Sequence, residues 1–181
     1  MKTFGVTVLA ALCFTLGACA GVNSRGTLPT ATSVDLSRYA GTWYEIARLL
    51  MWSQRHCVDS KIYTRRPDGA LSVHNECVTD AGGIDQAKGV ATVVDTTTNA
   101  RLTVVFDNWF ARLVGSSRDG NYWILDLDPE YRTAMVGTPD RRFLWILSRS
   151  LQLDEATYQR LVERARQLGF PVSDLIRAQR Q

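Results

Sequence analysis

The sequence predicts an all-β domain: an eight-stranded antiparallel up-and-down β-barrel with one C-terminal helix packed outside. Three observations point there. Short runs rich in Val, Ile, Thr and aromatic residues recur between positions 41 and 149, separated by turn chemistry. Eight such runs in series fit a sandwich or a barrel, and three tight connections favour a meander that closes on itself and leaves no free edge. A single stripe of helical period follows the last run.

The elements follow in order. Gly41 to Leu50 is the first run. Ser60 to Arg65 and Ala70 to Val78 flank Pro67-Asp68-Gly69 and form a hairpin. Ala87 to Asp95 is the fourth, and a turn over Thr96 to Ala100 leads into Arg101 to Phe106. Tyr122 to Asp128 is the sixth. Arg132 to Gly137 follows the turn Asp128-Pro129-Glu130, and Phe143 to Arg149 follows Thr138-Pro139-Asp140. The helix spans about residues 154–169. Asp154 is its N-cap, and Tyr158, Leu161, Val162, Ala165 and Leu168 form the stripe that faces the barrel. Gly169 and Pro171 end it.

The N-terminus is a separate unit. Lys2 precedes an apolar run from Phe4 to Leu16. The run is too short for a span of about 20 residues and suits the core of a signal peptide. It ends in Leu16-Gly17-Ala18-Cys19, which resembles the lipobox of bacterial lipoproteins. The resemblance implies that residues 1–18 are removed and that Cys19 carries the lipid, a diacylglyceryl thioether and then an acyl chain such as palmitate. Plain secretory cleavage is the alternative. Ala20 in place of Asp resembles the outer-membrane sorting address, with the domain facing the periplasm. Ala20 to Ser33 is rich in Gly, Ser, Thr and Asn and has no period, so residues 19–34 are expected to be a lipidated N-terminus and flexible tether. Residues 35–181 are then the barrel domain with its helix.

Composition narrows the function. The chain has 181 residues, 45% of them apolar and 22% charged, which is ordinary globular usage and enough for one real core. A net charge of +3, spread along the chain, leaves no footprint for nucleic acid. The local excess of Arg160, Arg164, Arg166, Arg177 and Arg180 reads as a solvated helix face. Cys13 leaves with the signal peptide, so Cys57 and Cys77 remain as an even pair in an exported chain. A hairpin folded about position 67 makes them direct cross-strand neighbours with Cβ atoms roughly 4.5–5.5 Å apart. A disulfide is therefore expected. A one-residue slip at the turn would put the two on a diagonal. A reactive or metal-binding pair is the alternative, and no His or Cys cluster completes a metal site. No cofactor is expected.

Three motifs carry a family resemblance. Gly41-Thr42-Trp43-Tyr44-Glu45-Ile46-Ala47-Arg48 resembles the Gly-x-Trp signature of lipocalins. Tyr122 to Tyr131 is similar to the second signature of that family, and Phe143 to Arg149 to the third, an arginine closing the last strand. The resemblance covers about residues 35–180 and is nearest to bacterial outer-membrane lipoprotein lipocalins, in the apolipoprotein-D-like branch. It implies that Trp43 sits inside the closed end with Arg149 across its indole face, and that Gly41 lets the chain enter the strand without a clash. Those three residues are structural; they identify the fold and leave the ligand open.

Alternation then phases the barrel interior. Arg149 pointing in takes Leu147, Trp145 and Phe143 with it. The first run offers Trp43, Glu45, Ala47 and Leu49. The resemblance phases Tyr122, Ile124 and Asp126 inward, and the phase of Cys77 brings in Leu71, Val73 and Asn75. Trp145, Phe143 and Tyr122 lead the candidate ligand contacts, with Leu147, Ala47, Leu49, Ile124 and Val73 beside them; simple filling of the barrel is the alternative. Glu45 and Asp126 need partners if they are inside, and Arg48 or Arg149 could serve. Trp52, Trp109 and Phe110 are expected at the mouth, as a lid or a membrane contact.

The function expected is a membrane-anchored carrier of a small apolar ligand. The resemblance implies fatty acid or lysophospholipid, in envelope storage or maintenance. A filled barrel acting as an interaction module is the alternative. A lipid-converting enzyme is a weaker one, since His56 and His74 stand in no Ser-His-acid spacing. Neither monomer nor homodimer is favoured.

Overall fold

The computed structural model describes residues 27–49, 57–79, 83–107 and 118–178. A short helix α1 (Leu36–Tyr39) leads into strands β1 (Gly41–Leu49), β2 (Cys57–Arg65), β3 (Leu71–Thr79), β4 (Ile84–Val93), β5 (Arg101–Phe106), β6 (Tyr122–Leu127), β7 (Thr133–Gly137) and β8 (Leu144–Ser148). Helix α2 (Glu155–Gln167), a 3₁₀ turn (Val172–Asp174) and a last strand β9 (Leu175–Arg177) follow. Each strand from β1 to β8 pairs antiparallel with the next. β1 pairs with both β2 and β8, which closes the barrel.

Period-2 alternation sorts the apolar residues into two cores. Trp43, Tyr63, Leu71, Val73, Leu102, Ile124, Val136, Trp145 and Leu147 belong to the interior cluster. Ile46, Trp123, Leu125, Met135, Leu144 and Ile146 point the other way and pack with Tyr158, Leu161, Val162, Ala165 and Leu168 of the helical stripe. Helix α2 begins where Asp154 accepts from the Thr157 N–H at 2.9 Å. It ends in a Schellman turn: the amides of Gly169 and Phe170 donate to the carbonyls of Arg166 and Ala165, with Gly169 at φ +83°.

Three sequence expectations need correction. The β2–β3 hairpin folds about Asp68, not position 67. Gly69 adopts φ +83° and donates to the Arg66 carbonyl, which makes a three-residue loop with Arg66 bonded to Ala70. Asp59 therefore faces Cys77, and Cys57 faces Thr79. The two cysteines share a face of the ladder but stand on a diagonal.

The stretch expected to be a flexible tether through position 34 is packed in its last part. Leu28 and Val34 are buried, and the Ala31 N–H donates to the Ile124 carbonyl at 2.8 Å. Its two aliphatic side chains lack any period, so their burial could not be read from pattern.

β9 was not anticipated; three residues are too short a run to signal a strand. It pairs with Ala47–Leu49 of β1, where β2 has already left that edge.

Candidate functional site

The closed end is built around Arg149. Its guanidinium carbon lies 3.9 Å from the centroid of the Trp43 ring, the expected cation–π stack. Its nitrogens donate to the carbonyls of Arg38, Tyr39, Ala40 and Thr42 at 2.8–3.1 Å, and to that of Tyr131 at 3.2 Å. Those of Arg38, Tyr39 and Ala40 are the C-terminal carbonyls of α1 and its exit, which have no helical amide to bond. Burial pulls the guanidinium down from its ordinary value, but an Arg side chain keeps its charge. Gly41 sits at φ +106°, and a Cβ there would stand 3.0 Å from Arg149 Nη1. The glycine is therefore required twice, by conformation and by space.

Three tyrosines complete the floor. Tyr39 and Tyr122 share a hydrogen bond of 2.6 Å between their hydroxyls, and Tyr63 donates to Tyr122 at 3.0 Å. The Trp43 indole N–H donates to the Tyr39 carbonyl at 2.8 Å. Burial pushes the Tyr39 and Tyr122 hydroxyls well above the usual phenol range. Tyr39 and Tyr63 were missed in the sequence. Tyr39 lies before the first strand, in a helix too short to show a period. Tyr63 was available from the hairpin phase that placed Val73, because the two face each other across the ladder. The hydroxyl of Tyr122, named as a ligand contact, is thus engaged by its neighbours.

The rest of the lining is less polar. Val73, Ile124, Trp145 and Leu147 lie inside as expected, and Phe143 packs beside them, stacked on Trp145 with centroids 6.3 Å apart. Ala47 and Leu49 do not. A β-bulge between Glu45 and Ala47 adds one residue to β1, so both side chains turn outward into the cluster under α2. The same slip turns Arg48 inward, opposite Trp145. A second bulge, between Ile124 and Asp126, turns Asp126 outward, where Arg160 of α2 lies 3.4 Å away. Asp126 is therefore no interior group.

Glu45 stays inside, opposite Leu147. It is 0% exposed and meets Arg48, 3% exposed, at 2.5 Å. Two further buried polar atoms of the interior, Trp145 Nε1 and Asn75 Oδ1, have no hydrogen-bond partner among the described residues. An apolar cavity wall with a few placed polar groups is the make-up of a small-molecule site. Cys19, Trp52, Trp109 and Phe110 lie outside the described residues, as does the side chain of Cys57.

Comparison with known proteins agrees with this architecture. Residues 34–180 match the model of the lipocalin-like domain. The chain is 34% identical to outer membrane lipoprotein Blc of Escherichia coli K12 over 178 residues, covering 97% of this chain and 96% of that one. It is 38% identical to temperature-induced lipocalin-1 of Arabidopsis thaliana over 146 residues, covering 78% and 77%. The crystal structure of Per a 4, a major allergen from cockroaches, superposes with a TM-score of 0.63 at 19% identity, covering 84% and 92%. Sequence signature, closed barrel and family match coincide over the same residues, and the chain belongs to the lipocalin family.

Proposed function

We propose that this protein is an envelope carrier that holds one small apolar ligand inside its barrel and is fixed to the outer membrane through a lipid on Cys19. The observation that carries the reading is the interior wall: Val73, Ile124, Trp145 and Leu147 are apolar and buried, with only a few polar groups among them. A fatty acid or a lysophospholipid is the ligand class that suits such a wall. Outer-membrane placement is supported by the Leu16-Gly17-Ala18-Cys19 run and by relatives that are themselves named outer membrane lipoproteins.

A binding role rather than a catalytic one is supported by where the titratable groups lie. His74 pairs with Glu76 on the outer side of β3, and Glu45 is held by Arg48. We also read Cys57 and Cys77 as a disulfide. Their place as an even pair on one face of the β2–β3 ladder supports it, and a twisted ladder brings diagonal residues on one face nearer than a flat one.

The test is lipid extraction and native mass spectrometry of the protein purified from envelopes. A co-purifying single-chain lipid in about one-to-one ratio is expected. An empty barrel that takes up no added lipid would favour an interaction module instead.

A further inference from the structure

The wall of the barrel is not bonded equally all round. β5 is held to β4 from Gly89 against Phe106 to Val93 against Leu102. Beyond them the Asp107 N–H donates to the Lys88 carbonyl at 2.8 Å. Gly89 lets the two strands lie close, since a Cβ there would stand 2.4 Å from the Val105 carbonyl oxygen. On its other side, among the described residues, β5 faces β6 only at Arg101 against Trp123 and Leu102 against Tyr122. The same register would set Val104, Val105 and Phe106 against Gly120, Asp119 and Arg118. Arg118 and Asp119 form a turn instead. Gly120 takes φ +85° where a Cβ would stand 2.5 Å from the Leu102 carbonyl oxygen.

One side chain stands in for the missing ladder. The Asn121 amide accepts from the Val104 N–H at 2.8 Å and donates to the Val104 carbonyl at 3.0 Å, as a peptide group of β6 would. An amide side chain carries both the donor and the acceptor that this mimicry needs. Such a clip lets go by a change of rotamer, whereas a ladder bond breaks only when a strand moves. The strand it holds is apolar on both surfaces. Val104 is buried in the interior cluster and Phe106 packs against that cluster, while Val105 is 50% exposed on the outside. We propose that the barrel parts sideways between β5 and β6, that an acyl chain enters and leaves the interior through this seam, and that Asn121 is its latch. The proposal rests on the carrier reading and adds a route to it.

The test follows single amides by hydrogen exchange in NMR. It also follows cis-parinarate by stopped-flow fluorescence, as it binds the mature protein and as it is released to phosphatidylcholine vesicles. In the unaltered chain the Val104 amide should exchange at least roughly tenfold faster than the Ile124 amide, which donates to the Ala100 carbonyl across the same two strands. In Asn121→Ala the Val104 amide should quicken by roughly a further tenfold. Binding and release of parinarate should both speed up by about threefold or more, with Kd held within about twofold, because a latch sets the barrier and not the depth of the site. Faster release alone, with a weaker Kd, makes Asn121 a prop of the pocket and overturns the route. A faster Val104 amide with unchanged parinarate rates overturns the route too, and leaves the carrier reading standing. A Val104 amide as slow as Ile124 in the unaltered chain overturns the latch without any variant, so a variant that fails to fold does not shield the proposal. An unaltered chain that binds no parinarate overturns the carrier reading and the route with it.

Discussion

Two arginines of the barrel are used in opposite ways. Arg149 closes the floor by donating to backbone carbonyls from α1, β1 and the β6–β7 turn, with an indole beneath its plane. Those acceptors cannot move without unfolding the entry segment. Arg48 sits higher and meets the Glu45 carboxylate inside the wall. One arginine is a clasp on the main chain, and the other is a counter-ion. The first concerns stability, and the second places charge inside the barrel.

The sharpest way to break this contrast is Arg149→Ala. It strips a donor from five carbonyls and removes the ring stack, and should cost about 3–4 kcal/mol in urea unfolding. Arg149→Lys should recover only part of it, since an ammonium cannot fan out to so many acceptors. A loss below about 1 kcal/mol would show that the floor does not depend on the clasp. Gly41→Ala comes next. It combines a positive φ with a contact of 3.0 Å against Arg149, and about 2 kcal/mol is expected from thermal melts. Asp126→Asn should do least, under about 0.5 kcal/mol, because its partner Arg160 lies on the surface. A large loss there would return Asp126 to the interior and undo the second bulge.

Much of the floor was legible in the sequence. Gly41, Trp43 and Arg149 lie in motifs whose role is fixed by chain geometry, and the structure places each where the motif implies. The stripe of α2 was equally plain, since Tyr158 through Leu168 repeat at helical spacing and all are buried in one cluster. The interior wall was legible only between bulges. Alternation counts two residues per repeat, and one extra residue reverses every side chain beyond it. Hence Trp43 and Glu45 were phased correctly and Ala47 and Leu49 were not; Ile124 was correct and Asp126 was not. Nothing in the local composition marks either bulge. The hairpin error was smaller. Moving its centre from position 67 to Asp68 keeps both cysteines on one face, so it changes their spacing and not their side.

The burial of Leu28 also sets a leash. It lies nine positions after Cys19, and a fully extended chain of that length reaches about 30 Å. A lipid on Cys19 would therefore keep the wall that carries α2 within that distance of the bilayer. So anchored, the protein would not cross a periplasm to a distant donor, and a ligand would have to reach it at that membrane.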